Sequence, residues 1–193
     1  MSKLHTIFLG LFLILAISCS PNDGRENETK EISLSSFEKV HLTGGGNLYL
    51  IPSNTYAVEL KGQGVSNTEV EVKGDKLHLT NNGKRGRQNM DIYIYTQTIT
   101  GIQITGGGKV EIEEGFDAVE NFDCIIQGGG KLALDALEIG FLDISILGGG
   151  AVTAHVEEVI NANILGGGSI HYLGNPEVRS SVMGGGSIKR KES

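Results

Sequence analysis

Apolar and polar residues alternate on both sides of a triglycine that recurs six times along the chain. The copies are Gly44–Gly46, Gly106–Gly108, Gly128–Gly130, Gly148–Gly150, Gly166–Gly168 and Gly184–Gly186. When they are aligned on their glycines, two apolar columns stand at alternate positions before the glycines and two after. The columns before are Val40/Leu42, Ile102/Ile104, Cys124/Ile126, Ile144/Ile146, Ala162/Ile164 and Ser180/Val182. The columns after are Leu48/Leu50, Val110/Ile112, Leu132/Leu134, Val152/Ala154 and Ile170/Tyr172, and the last copy has Ile188 followed by Arg190.

This alternation predicts strands with one buried face. The last four spacings between triglycines are 22, 20, 18 and 18 residues, which is typical of stacked repeats. A single repeat could not bury its own apolar columns, so neighbouring repeats must cover each other. We therefore predict an all-β, single-domain parallel β-helix with coils of roughly 18–22 residues, each about 4.8 Å above the previous one. A right-handed helix is favoured because the coils lack the six-residue aliphatic period of left-handed hexapeptide helices.

The triglycines are interpreted as corners of this helix. A tight corner repeated in every coil requires positive φ or close approach of two backbones, and glycine accepts both. The alternative interpretation is functional. A stack of corners without side chains would expose backbone N–H groups that could accept anions or lie against a sugar ring.

Residues 1–18 have the pattern of a lipoprotein signal peptide. Lys3 supplies the positive end, and Ile7–Ile17 is an apolar stretch shorter than the ~20 residues that span a bilayer. Small residues then precede Cys19, as in a bacterial lipobox, although Ala16 stands where an aliphatic residue is usual. We expect Cys19 to become the lipidated N-terminus, which would attach the chain to a membrane. Ordinary signal cleavage nearby and an uncleaved anchor are the alternatives.

Residues 19–31 are polar and without apolar period, so we predict a flexible tether before the β-helical domain of residues 32–193. Loss of residues 1–18 leaves 15 Lys and Arg against 23 Asp and Glu, a net charge of about −8. This negative net charge argues against a nucleic-acid partner.

Cys124 lies in an inward column, where we expect a small buried hydrophobe rather than a reactive thiol.

The N-terminal part of the domain, up to residue 105, is less regular. It contains alternating segments between the first two triglycines, and Lys73–Lys76 resembles a hairpin turn. Some antiparallel pairing is therefore expected there. The long loop that follows Asn81 carries Lys84, Arg85 and Arg87, which could contact a phosphate, a sulfated glycan or lipopolysaccharide. A solvated loop is the other interpretation of the same residues.

Two sets of outward positions are candidates for ligand contact. Glu113, Asp135 and His155 each stand five places after a triglycine and would stack about 4.8 Å apart if their strands were in register. Two carboxylates and an imidazole at that spacing could bind a divalent metal or share a proton. Two further columns are polar. One stands three places before the glycines and is interrupted by Ile125, and the other stands three places after them. Their side chains could form hydrogen bonds with a flat glycan or with each other. The polar column before the glycines is Gln103, Ser145, Asn163 and Ser181, and the one after them is Tyr49, Glu111, Ala133, Thr153, His171 and Lys189.

The segments around the first two triglycines resemble one protein family. The residues that carry the resemblance are Phe37, Val40, Leu42, Thr43 and Gly44, then Asn47, Tyr49 and Leu50, then Asp91–Tyr95, and then Ile102, Ile104, Thr105 and Gly106. Together they are similar to the "putative auto-transporter adhesin, head GIN domain" family, over roughly residues 32 to 190. The resemblance implies an exported bacterial protein, commonly a lipoprotein, with a β-helical domain. It supplies no catalytic residues.

No catalytic motif, metal motif or phosphate loop is present in the sequence, and no cofactor is expected. The leading hypothesis is a non-enzymatic outer-membrane lipoprotein, periplasmic or surface-exposed, that acts as an adhesion module for a glycan or a surface protein. The first alternative is a structural envelope component that acts through protein–protein contacts. The second is a polysaccharide-active protein that uses Glu113, Asp135 and His155. The sequence does not fix the oligomeric state.

Overall fold

The computed structural model describes residues 28–81 and 90–191, so the predicted lipidation site Cys19 and the loop cations Lys84, Arg85 and Arg87 lie outside the described residues. The described residues form strands and one short 3₁₀ turn, Val65–Asn67. The strands are β1 Glu28–Ser33, β2 Lys39–Gly44, β3 Asn47–Pro52, β4 Ala57–Gly62, β5 Thr68–Lys73, β6 Lys76–Asn81, β7 Met90–Thr96, β8 Gly101–Gly106, β9 Lys109–Ile112, β10 Val119–Gly128, β11 Lys131–Gly148, β12 Ala151–Gly166, β13 Ser169–Leu173, β14 Glu177–Met183 and β15 Ser187–Arg190.

The strands make one curled sheet with two faces. The pre-glycine face contains the strands that lead into the triglycines together with β6, paired in parallel in the order β6, β2, β8, β10, β11, β12 and β14. The post-glycine face contains the strands that leave them together with β7, in the order β7, β3, β9, β11, β12, β13 and β15. The long strands β11 and β12 belong to both faces. Equivalent glycines pair with each other, as Gly128 does with Gly148, so the repeats are stacked in register.

Antiparallel strands complete both faces at the N-terminal end. On the post-glycine face β4 pairs with β7 and β1 pairs with β4, while on the pre-glycine face β5 pairs with β6. The prediction of an all-β fold is confirmed, and so is the hairpin at Lys73–Lys76, where Gly74 has a φ of +62°. The sheet is mixed, however, and not purely parallel. The predicted tether also extended too far, because residues 28–31 belong to β1 and pair with β4.

The inward columns of both faces pack into a single core. Leu42, Leu50, Ile104 and Ile164 are all fully buried, and each such side chain stabilises the fold by about 1.5–3 kcal/mol. Cys124 is 1% exposed, as expected for a small buried hydrophobe, and burial raises the pKa of its thiol far above the ordinary value. Burial ends at the last repeat, where the inward residues Val178 and Val182 are partly exposed.

The three glycines of each corner have different environments. Gly148, the first of its triplet, has a φ of +125°, a region that favours glycine. A Cβ atom on Gly150, the third, would lie 2.6 Å from Cγ2 of Ile126. A Cβ atom on Gly149, between them, would meet nothing within 4 Å. Backbone conformation and packing therefore require glycine at the first and third positions of this corner, but not at the second.

The backbone N–H groups of the corners are already used within the sheet. Gly149 donates to the carbonyl oxygen of Gly128 at 2.9 Å, and Gly167 donates to that of Gly148 at 2.9 Å. Gly107 and Gly129 make the same bond to the preceding corner. The interpretation of the corners as an anion-binding row of N–H groups is therefore wrong for these four glycines.

Nowhere in the described ranges 28–81 and 90–191 does a helix reach the length and apolarity that crossing a bilayer requires.

Candidate functional site

A long groove runs across the pre-glycine face, perpendicular to its strands. It has a volume of about 570 Å³ and crosses the seven strands β6, β2, β8, β10, β11, β12 and β14. Six steps between neighbouring strands give it a length of roughly 29 Å. Its lining side chains form two outward rows, one on each side of the buried column Cys124, Ile144 and Ala162. The first row is Lys76, Lys39, Gly101, Asp123, Asp143, Asn161 and Arg179, and the second is Gln103, Ile125, Ser145, Asn163 and Ser181.

The parallel register holds these side chains in rows. Asp123 pairs with Asp143, and Asp143 pairs with Asn161, so equivalent positions of successive repeats are neighbours. Because successive side chains of a strand point to opposite sides of the sheet, residues two positions apart point to the same side, here toward solvent. The residue between them, such as Cys124 between Asp123 and Ile125, enters the core. The same alternation that builds the core therefore builds the groove.

Most charged groups of the groove have partners. Lys39 Nζ lies 2.9 Å from Asp123 Oδ2, and this hydrogen bond raises the pKa of the lysine. Asp143 accepts a hydrogen bond of 2.8 Å from the side-chain amide of Asn161. Arg179 makes two bonds, of 2.9 and 3.0 Å, to the carboxylate of Glu177, whose pKa is lowered by them. Such bidentate pairs hold the guanidinium in one orientation.

Gly101 creates a gap in the first row between Lys39 and Asp123. A Cβ atom at this position would lie 3.2 Å from the carbonyl oxygen of Asp123 and 3.4 Å from Cδ of Lys39. The lysine side chain passes over the gap to reach the carboxylate. A second cavity of about 440 Å³ lies beside this ion pair and is lined by Glu38, Asp75 and Thr100 together with Lys39 and Asp123. The ion pair therefore lies at the boundary shared by the two cavities.

Two histidines stand beside the groove on β2 and β6. The rings of His41 and His78 are 5.5 Å apart, edge to face, and His41 Nε2 is 3.1 Å from Thr105 Oγ1. Burial, followed by the charges of His78 and Lys76, lowers the pKa of His41 below its ordinary value. The neutral form of the His41 imidazole is therefore favoured.

The predicted column of Glu113, Asp135 and His155 is not formed as a stack. His155 pairs in register with Glu138, because a bulge places three extra residues of β11 between Leu134 and Glu138. One extra residue of β12 between Val156 and Val159 then reduces the net difference between the two repeats to two residues. His155 Nε2 lies 2.8 Å from Glu157, while Asp135 accepts a hydrogen bond from Thr153. Within residues 28–81 and 90–191, no three His, Cys, Asp or Glu side chains are placed to hold a metal ion.

The polar column noted in the sequence, Gln103, Ser145, Asn163 and Ser181, does line the groove. The row that carries the charges was missed, although a signal for it exists. Lys39, Asp123, Asp143, Asn161 and Arg179 all stand five places before a triglycine, two places before the polar column. Extending the alignment by one more outward position would have found them.

On the post-glycine face, Tyr49 and Tyr93 form an aromatic stack with ring centroids 5.2 Å apart. The ammonium group of Lys61 lies 4.6 Å from the centroid of the Tyr93 ring, a cation–π contact. Lys61 also makes a 3.0 Å ion pair with Glu59. Both rings are half-buried, and their stack joins β3 to β7 in the N-terminal part of the sheet.

Comparison with known proteins identifies relatives. The crystal structure of a putative adhesin from Bacteroides fragilis NCTC 9343 is similar with a TM-score of 0.57 at 24% identity, over 86% of this chain and 97% of that chain. That similarity shows a shared fold. A putative adhesin from Parabacteroides merdae ATCC 43184 has a TM-score of 0.45 at 13% identity, over 86% of this chain and 96% of that chain. No curated protein matches the chain. A family model matches residues 36–118 and 116–176, so the chain belongs to the family described as "Putative auto-transporter adhesin, head GIN domain".

Proposed function

We propose that this protein is a non-enzymatic adhesion module of the bacterial cell envelope and that the groove of the pre-glycine face is its ligand surface. The observation that carries the proposal is the groove itself. It is an open channel of about 570 Å³ that is lined by outward polar side chains from seven strands and by apolar residues such as Ile102, Ile125 and Ile144 between them. Membership of a family named for adhesins agrees with a role in attachment. A rigid sheet would hold the lining side chains in place before a ligand arrives, which reduces the entropy cost of binding.

The anchoring part of the proposal rests on the sequence. We propose that residues 1–18 are removed, that Cys19 is lipidated and that the chain is held at the outer membrane, on its periplasmic or its external side. The polar residues before β1 would then form a spacer between the membrane and the sheet. We also propose that the curled sheet winds as a right-handed β-helix.

A non-enzymatic role is proposed because the one catalytic arrangement suggested by the sequence is dispersed. Glu113, Asp135 and His155 do not meet, and two of them are engaged by Thr153 and Glu157. A structural envelope role is the second candidate, and the partly exposed Val178 and Val182 at the last repeat favour it. A protein that acted in this way would contact its partner through that end rather than through the groove.

Adhesion of intact cells tests the proposed function. Cells that lack the protein are compared with cells that express the wild type or Cys19→Ser, on surfaces coated with glycans or with matrix proteins. We expect the wild type to restore attachment to at least one surface, and Cys19→Ser to lose both attachment and labelling by a radioactive fatty acid. Attachment that does not depend on the protein on any surface would contradict the adhesion role. Envelope defects in the same cells would then favour the structural role.

A further inference from the structure

We propose that the groove of the pre-glycine face binds a linear, uncharged polysaccharide, laid across the strands along the axis on which the repeats stack. The inference rests on the proposed function of the groove as the ligand surface and adds the chemical class of the ligand. Three features of the groove carry it: its balance of charge, the saturation of its backbone, and its repeated polar rows without aromatic rings.

Among residues 28–81 and 90–191, the charges that line the groove cancel once Glu177, the ion-pair partner of Arg179 just outside the lining, is counted. Its cations are Lys39, Lys76 and Arg179, and its anions are Asp123 and Asp143, with Glu177 bound to the arginine. Lys39 is further occupied by its ion pair with Asp123. A polyanion such as a sulfated glycan or a nucleic acid would require an excess of cations along its whole length, as in other charged grooves. The groove therefore matches a polymer without charge.

The strands that form the floor have no free edge inside the groove. Each of β2, β8, β10, β11 and β12 is paired on both sides, with bonded neighbours in the parallel ladder. An extended peptide that adds to a sheet needs unpaired backbone groups at an edge. In the part of the chain that the structure describes, such groups occur on this face only at its two ends, on β5 and β14. A ligand in the groove must therefore be recognised by side chains.

The side chains in the centre of the groove suit sugar hydroxyl groups. Gln103, Asn161 and Asn163 each carry a donor and an acceptor, and Ser145 and Ser181 can do either. A sugar hydroxyl is likewise both donor and acceptor, so the two sets are complementary. Ile125 is 39% exposed at the middle of the second row and offers an apolar surface to the C–H groups of a sugar ring.

The repeat of the rows points to a polymer rather than a single sugar. Each of the seven strands contributes at least one outward polar side chain, and neighbouring strands are about 4.8 Å apart, over roughly 29 Å. None of the described residues that line the groove carries a Phe, Tyr or Trp ring, so they hold no single sugar by stacking. Many weak contacts must add up along the chain. Affinity should therefore rise with the number of sugar units until the groove is filled.

The test uses the purified full chain in detergent with four neutral polysaccharides, laminarin, hydroxyethylcellulose, dextran and yeast mannan, and with alginate and heparin as anionic probes. Binding is measured by affinity electrophoresis and then by calorimetry with oligosaccharides of increasing length. The groove variant is Asn163→Arg, which places a bulky charged side chain in the second row. Ser169→Arg makes the same kind of change on an outward position of the post-glycine face and is the matched control. Circular dichroism and thermal unfolding show whether both variants are folded.

We expect at least one neutral polysaccharide to bind, with affinity that increases with chain length. The affinity should change less than about twofold between about 0.05 and about 0.5 M NaCl, because an uncharged ligand makes no ionic contacts that salt could screen. Asn163→Arg should weaken binding at least tenfold, whereas Ser169→Arg should leave it unchanged. Binding only of alginate or heparin, changed in either direction by Asn163→Arg and not by Ser169→Arg, would overturn the neutral class and keep the groove as the ligand surface. Binding that Asn163→Arg does not affect, or binding of none of the probes, would overturn the inference. The cell-adhesion experiment would then decide the proposed function separately.

Discussion

The carbonyl oxygen of Gly128 lies 2.5 Å from the point where a Cβ atom on Gly148 would stand. The same oxygen accepts the hydrogen bond from Gly149 N–H that joins the two corners. A side chain at Gly148 would therefore push against a backbone group that cannot move without losing this bond. It would also require an L-residue to adopt a φ of +125°.

We predict that Gly148→Ala lowers the free energy of unfolding by about 3 kcal/mol, from backbone strain and from displacement of the Gly128 carbonyl. Gly149→Ala is the matched control, because a Cβ atom there meets nothing within 4 Å. It should change stability by less than about 0.5 kcal/mol. Urea denaturation of both variants measures the difference. Equal stabilities would show that the stacked corners do not constrain the repeats.

Stability should depend on pH through His41. Its pKa in the folded state is lowered by burial and by the neighbouring His78 and Lys76, whereas in the unfolded chain it is about 6.5. As the pH falls below that value, the unfolded chain binds a proton more readily than the folded chain. The contribution of His41 is thus complete above about pH 6.5 and is lost as the pH falls through the folded-state pKa.

The measurement is a series of urea denaturation curves between about pH 7.5 and about pH 5. Replacement by His41→Gln keeps a polar side chain beside Thr105 and removes the titration, so the variant should show a flatter dependence than the wild type. An identical slope for wild type and His41→Gln would refute the prediction.

Cys124 should not react in the folded protein. Its side chain is 1% exposed, and burial raises the pKa of the thiol, so thiolate is scarce and enclosed. We expect iodoacetamide to leave Cys124 unmodified at pH 8 under native conditions and to modify it fully in denaturant. Mass spectrometry of the peptide that contains Cys124 distinguishes it from Cys19. Rapid native labelling would mean that the pre-glycine face opens far more often than its burial implies.

The ion pair of Lys39 with Asp123 should add little to stability. Their side chains are 33% and 58% exposed, and solvent screens such a pair to about 1 kcal/mol or less. A double-mutant cycle with Lys39→Met and Asp123→Asn is expected to give a coupling energy below about 1 kcal/mol that decreases with salt. A coupling well above this limit would indicate that the pair is shielded from solvent.

The sequence predicted the parts of the fold that repeat. The triglycine alignment identified the inward columns and hence the core, because each repeat places the same positions at the same height. It could not show how repeats of unequal length are accommodated, so the bulge after Leu134 and the displacement of His155 from Asp135 were missed. It also could not show that β1 would pair with β4, since residues 28–31 have no apolar alternation of their own.

The groove could be predicted from the sequence only in part. Its polar residues follow from the alternation, but a channel depends on the curvature of the face and on the sizes of neighbouring side chains. The absence of a side chain at Gly101 and the reach of Lys39 across it are examples. Neither is encoded in a motif. For the same reason the charge balance of the groove became visible only once the partners of Asp143 and Arg179 were known.

The identical corners also bear on how chains of this kind can change in length. Between Gly106 and Gly166, neighbouring corners are joined by the same two contacts, a hydrogen bond from the second glycine and a close approach of the first glycine to a carbonyl group. A duplication or deletion that begins and ends at equivalent glycines would leave all other pairings in register. The bulge after Leu134 indicates that even a difference of two residues can be absorbed. A gene encoding such a sheet can therefore lengthen or shorten its binding groove in single-repeat steps while the core of the remaining repeats is preserved.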